Sequence, residues 1–225
     1  MTILLPVPGW SVTPQGQPQY GAQPALIAEP SSLQVTIRKS IVGGIRTGRF
    51  VTLNACDSIV DATSRANVAY AALDGAGGGG SLSLEGCTVI GKTHATLLSL
   101  VSDSVFWAEL GPGDTWAAPL LADRKQSGCV RFSFLPPHPI VPREFKCVTE
   151  VLGAPQPIFN SLRYGAPGYC KLFPSTPDAV RRGASDGGEM GAFHFVLAPL
   201  RETDLRIRMQ EYVPVGLEFG IIYQT

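Results

Sequence analysis

The chain has 225 residues, with 18 Lys and Arg against 18 Asp and Glu, so it lacks the net positive charge on which general nucleic-acid attraction rests. Hydrophobic residues supply 44% and charged residues 16%, a charge deficit that suits a partly covered surface or a β fold with many small-residue turns. The length allows one large domain or two small ones, and 25 Gly with 19 Pro mark the chain as turn-rich without reaching the level of disorder.

Residues 1–25 carry Pro6, Pro8, Pro14, Pro18 and Pro24 and read as an extended irregular arm, with Trp10 and Tyr20 as anchors. Such an arm serves as a cap on the first strands or as a docking segment for a partner. The opening Met1-Thr2-Ile3-Leu4-Leu5-Pro6 has no basic region, and its apolar run is broken by proline. It fits neither a secretion signal nor a membrane span, which predicts a chain that is cytoplasmic as synthesised, without membrane insertion, or exported only within an assembly.

Residues 26–135 hold a two-part repeat. Its first strand is apolar, Thr or Ser, apolar: Val35-Thr36-Ile37, Val51-Thr52-Leu53, Leu82-Ser83-Leu84 and Leu98-Ser99-Leu100. A second strand opens with Ser or Thr at Ser40-Ile41-Val42, Ser58-Ile59-Val60, Thr88-Val89-Ile90 and Ser104-Val105-Phe106. First strands start at intervals of 16, 31 and 16 residues, so the middle interval contains an insertion. Residues 61–80, with Asp74-Gly75-Ala76 and the run Gly77 to Gly80, are expected to form that insertion as a loop thrown out from one corner. Alternation at period two in residues rich in Val, Ile, Thr and Ser favours strand over helix. A short strand that turns both apolar ends to one face buries little alone, and stacked copies bury a continuous column. The fold expected is therefore all-β: a right-handed parallel β-helix, or β-solenoid, with an N-terminal arm and a C-terminal cap containing one short helix.

Residues 136–225 are expected to close the stack. Cys129 to Phe134 and Arg143 to Val148 flank Pro136-Pro137-His138-Pro139 and suggest a broad hairpin that sets Cys129 opposite Cys147, as a disulfide or as two thiols. Five cysteines without a CxxC pair suggest neither a metal ribbon nor a thioredoxin-like site. Leu205, Met209 and Tyr212 form one apolar stripe in a helix over 200–212, and Leu217 to Tyr223 reads as a closing strand.

Glu189-Met190-Gly191-Ala192-Phe193 resembles the ending of bacterial right-handed β-helix, pectate-lyase-like proteins, and Tyr164-Gly165-Ala166-Pro167-Gly168-Tyr169 resembles its lead-in. The chain departs from that pattern at His194, where the family carries an acidic residue. From about residue 30 onward the chain also resembles the C-terminal part of large bacterial β-helix proteins associated with phage-tail-like or contractile injection systems. That resemblance implies a noncatalytic structural, attachment or assembly component with a protein partner or a homo-oligomeric state.

Chemical motifs are sparse. No HExxH, nucleophile elbow, Walker loop or dinucleotide fingerprint occurs, and no cofactor is indicated. Asp57 and Asp103 precede matching serines in two copies of the repeat and, with Asp61, are the weak catalytic candidates of a polysaccharide lyase or hydrolase. The competing account is ordinary corner aspartates. Asp186, Glu189 and His194 have the chemistry of divalent-metal ligands, against a reading as turn and packing residues. Trp107 and Trp116, near Gly111-Pro112-Gly113-Asp114, are the weak candidates for stacking on a sugar, against burial or an interface.

Overall fold

The structure, a computed structural model, describes residues 2–3, 23–29, 32–151 and 153–222. Trp10 and Tyr20, and with them most of the expected arm, lie outside the described residues. In chain order the strands are β1 (Thr2–Ile3), β2 (Pro24–Ala28), β3 (Gln34–Arg38), β4 (Ile41–Val42), β5 (Gly44–Thr47), β6 (Thr52–Cys56), β7 (Ile59–Asp61), β8 (Val68–Ala72) and β9 (Gly79–Glu85). They continue with β10 (Thr88–Ile90), β11 (Lys92–Ser102), β12 (Val105–Trp107), β13 (Leu120–Ala122), β14 (Val130–Arg131), β15 (Phe134–Leu135), β16 (Glu144–Phe145) and β17 (Val148–Thr149). Helices α1 (Asp178–Arg181) and α2 (Ala198–Gln210) complete the order.

The right-handed β-helix expected from the repeat is corrected by the sheet topology. The strands sort into two curled sheets, one of eleven strands and one of six in the order β17-β15-β12-β10-β7-β4. The cause is β11, whose 11 unbroken residues pair with β8 and β13 at one end and with β9 and β14 at the other. What the repeat divides into separate faces is thereby one continuous sheet. Between these strands pairing is parallel, apart from the antiparallel β1–β2 pair.

The glycine run is not a thrown-out loop. Asp74 to Gly77 make a tight turn in which Asp74 Oδ1 accepts the N–H groups of Ala76 and Gly77, both at 2.9 Å. Gly79 and Gly80 then enter β9, where a Cβ on Gly80 would lie 1.9 Å from the carbonyl oxygen of Val51. Only a residue without a side chain lets the two backbones approach so closely.

The register departs from the sequence alignment of the repeat in two places. Val35 pairs with Leu53 and Leu53 with Leu82, so the second copy of the motif starts two residues later than its sequence suggests. Ile59 pairs with Thr88 and Thr88 with Val105, which puts Cys87, not Thr88, in the row of Ser40, Ser58 and Ser104. Ser133 and Cys147 extend that row, because Val105 pairs with Phe134 and Phe134 with Val148.

Each member of this row comes directly after a residue of positive φ: Lys39, Asp57, Gly86, Asp103, Phe132 and Lys146, all between 46° and 55°. The hydroxyls of Ser40, Ser58, Ser104 and Ser133 each donate to the carbonyl two residues earlier, at 2.7 to 2.8 Å. Ser58, Ser104 and Ser133 also accept the N–H of Ser40, Cys87 and Ser104 respectively, at 3.1 to 3.2 Å. The corner is thus a hydrogen-bonded column that closes the bend between the two sheets.

The segment expected as a hairpin also runs in parallel register. Val130 pairs with Glu144 and Phe134 with Val148, which aligns Cys129 with Arg143 and Cys147 with Ser133. All five cysteines are free thiols. Among the described residues, 217–222 form no strand.

The two sheets face each other across a core that includes Leu53, Leu82, Leu98 and Val101 from one and Val60, Val89, Phe106 and Leu135 from the other. Ile59, Ile90, Val105 and Phe134 turn to the opposite side of the six-stranded sheet, against residues after 158. A sheet buried on both faces requires apolar residues in both alternating sets, as these strands have. Among the described residues no helix is long and apolar enough to cross a membrane.

Candidate functional site

The stretch that covers the outside of the six-stranded sheet also builds the pocket with the most unusual chemistry. Residues 159–161 and 169–172 run side by side: Phe159 bridges Leu172, and the N–H of Asn160 donates to the Lys171 carbonyl at 2.8 Å. Gly168, at φ 70°, lies where a Cβ would collide with the Asn160 side chain, and its bare backbone gives that amide its place. Tyr169 donates its phenol hydrogen to the buried Asp61 of β7, which also accepts the N–H of Thr63 at 2.6 Å. Burial pushes both the Asp61 carboxyl and the Tyr169 phenol above their ordinary ranges, and Asp61 pushes the phenol further.

Glu189 to Phe193 cross the middle of the sheet instead of closing its end. The N–H of Gly191 donates to the Asp103 carbonyl at 2.8 Å, and that of Ala192 to Thr88 Oγ1 at 2.9 Å. Gly191, at φ 104°, has no room for a side chain, since a Cβ would lie 2.7 Å from Thr88 Oγ1. Met190 is buried against Val105, Phe134, Leu172 and Val180.

Between these segments, α1 and the start of α2 lies a pocket of about 510 Å³. Its wall includes Asn160, Tyr169, Lys171, Arg181, Glu189 and Phe193, with Ile41, Ile59 and Leu172 supplying apolar surface. Arg181 is ion-paired with Glu202 of α2. Glu189 is 2% exposed, and its Oε1 has no hydrogen-bond partner among the described residues. Burial pushes its carboxyl up to about 7, against the opposing pull of Lys171, Arg181 and His194.

The remaining sequence candidates are separated by the fold. Asp103 is buried and structural: Oδ2 accepts the Ser102 hydroxyl and Oδ1 the N–H of Ser185, each at 2.6 Å. Asp57 stands beside Gly86, the corner residue between it and Asp103 in the stack, and lines a shallow neighbouring hollow with Phe195. His194 and Asp186 approach to 3.4 Å, but Nδ1 of His194 meets the backbone carbonyl of Glu189, at 3.0 Å, not its carboxylate. No group of three metal-ligating side chains assembles among the described residues, and the weak metal candidates Asp186, Glu189 and His194 do not converge as one.

The two tryptophans belong to different clusters. Trp107 packs against Phe134 and Phe159 and lies under the Arg65 guanidinium, 3.9 Å from its ring centroid. Trp116 meets His94 edge-on and Lys92 over its face. Lys92 is paired with Asp114 at 2.6 Å; burial raises the Asp114 carboxyl, but the hydrogen bonds from Lys92 and the Gly111 N–H, together with the Lys92 charge, outweigh it and hold that carboxyl below its ordinary range. His94 bridges the Ala76 carbonyl and Asp123.

Sequence reasoning picks out the Tyr164–Tyr169 stretch as a pattern but assigns no role to Asn160, Lys171 or Arg181. Their only sequence signal is proximity to Glu189, and the spacing of 18 residues from Lys171 to Glu189 does not by itself bring them together. Searches against family models, curated proteins and solved structures find no match for this chain.

Proposed function

We propose that this chain is a noncatalytic structural, attachment or assembly component that engages a protein partner through α2 and the residues after it. The observation that carries this reading is the apolar surface left open there. Leu200, Leu205, Ile207 and Met209 on α2 are exposed, and beyond it Tyr212 (80%), Val215, Leu217 and Ile222 (90%) are more so. Apolar side chains scattered singly over a surface need no explanation, but eight exposed ones within 23 residues are a local concentration that a partner would cover. Arg206–Glu202 and Arg208–Asp204 ion pairs run between them along α2. The structural use of Asp103 supports the noncatalytic side of the reading, since its carboxylate is occupied in tethering residue 185.

Site-specific photo-crosslinking of the intact protein in cells tests it. A crosslinker at Ile207 or Leu217 is expected to capture the same polypeptide from both positions, and one at the exposed Arg124 to capture none. Equal yields at all three positions would overturn the reading. So would a polysaccharide-cleaving activity that disappears in the Asp57→Asn, Asp103→Asn double variant.

A further inference from the structure

We propose that the pocket between residues 160–171, Glu189 and α2 is a binding site for a small neutral polyhydroxylated ring, of pyranose size. The inference rests on the cavity and is independent of the docking surface on α2.

Size comes first. About 510 Å³ lies within the range of small-molecule sites and accommodates one or two rings. Polarity comes second. The Glu189 carboxyl stands in the wall with an oxygen that accepts no hydrogen bond among the described residues, although the residue is only 2% exposed. A buried acceptor left unpaired is costly, and a ligand donor that reached it would remove the cost.

The charges then restrict the ligand class. Lys171 and Arg181 sit in the same wall and oppose an ammonium or other cationic ligand, while Glu189 and Glu202 oppose a polyanion. A neutral hydroxylated molecule suits both signs, donating to Glu189 and accepting from Lys171 and the Asn160 amide. Phe193, half-buried beside Ile41 and Ile59, offers an apolar surface for the carbon face of such a ring.

The same geometry sets a direction of pH dependence. A hydroxyl that donates to Glu189 favours its ionised form, so affinity rises with pH through about 7 and falls below it.

Saturation-transfer NMR on the full chain, titrated with methyl α-D-glucopyranoside, methyl α-D-galactopyranoside and myo-inositol, tests the site, with citrate and spermidine as the charged alternatives. At least one neutral probe is expected to bind in the roughly millimolar range or tighter. Lys171→Ala, at an exposed position that the fold tolerates, is expected to weaken it about tenfold, which is about 1.4 kcal/mol. Glu189→Gln is expected to abolish the pH dependence, and Trp116→Ala to change nothing. Failure of all three neutral probes, preference for citrate or spermidine, or binding indifferent to both pocket variants would overturn the proposal. None of these outcomes touches the crosslinks at Ile207 and Leu217, so the two readings fail separately.

Discussion

Glu189 shows what one buried carboxyl does to the whole energy balance. Its folded-state value of about 7 exceeds the ordinary 4.5, so the folded chain holds a proton that the unfolded chain has already released between those limits. Stability from this group is therefore full below about pH 4.5, declines as pH rises to about 7, and stays reduced above. The difference between these two values corresponds to about 3 kcal/mol. Urea denaturation at pH 5 and pH 8 is expected to show Glu189→Gln gaining about 2–3 kcal/mol on the native chain at the higher pH relative to the lower. A difference that does not change with pH would place the proton elsewhere. The residue is visible in the sequence as a turn acid or a metal ligand, but its burial is not: the Glu-Met-Gly-Ala-Phe stretch does not say that Gly191 seats against Thr88, 103 positions away.

At the scale of elements, the corner column is the feature that holds the two sheets in register. Ser104 is its best-connected member: its hydroxyl donates to Ser102 and accepts the N–H of Cys87, and its own N–H donates to Ser133 Oγ, all within the buried interior. Ser104→Ala leaves that N–H buried without a partner and is expected to cost about 1–3 kcal/mol. Cys87→Ser puts at position 87 the residue already used at Ser58 and Ser104 and is expected to cost under about 1 kcal/mol, because the thiol already makes the same bond, to the Glu85 carbonyl. Thermal unfolding of the two variants checks the order, which reverses if the column is incidental. The strands themselves are legible in the sequence, since β-branched residues alternating at period two fit a pleated half-buried surface and little else. Their register is not. Side chains repeat every two residues, so reading Val51 where Leu53 belongs keeps every residue on its face and the pattern offers no objection. At Cys87 the signal fails differently: Gly86 takes the positive-φ place that Asp57 and Asp103 hold elsewhere, so the corner there carries no aspartate to align.

For the whole molecule, the decisive arrangement is the cover that residues 159–196 place over the six-stranded sheet. Without it, Ile59, Ile90, Val105 and Phe134 would face water. A chain ending at residue 158 is expected to bind a hydrophobic dye and aggregate, whereas one ending at 197 is expected to remain monodisperse while losing α2 and, with Glu202, one side of the pocket. Light scattering of the two truncations distinguishes this from a modular organisation, in which both would behave alike. Fold class is misjudged from the sequence at this scale for a related reason. A repeat reports how short strands succeed one another, but a single long strand such as β11 decides whether neighbouring rows remain separate or fuse into one sheet.

That cover also has a consequence for synthesis. The bonds that fasten it, from Tyr169 to Asp61 and from Ala192 to Thr88, join residues 108 and 104 positions apart. A ribosome releases the strands well before their outer lining, so the nascent chain passes through an interval with a row of bare aliphatic and aromatic side chains. Contacts of such long range form slowly and late. Yield in the cell then depends on how quickly residues 159–196 arrive, and on what shields that row until they do.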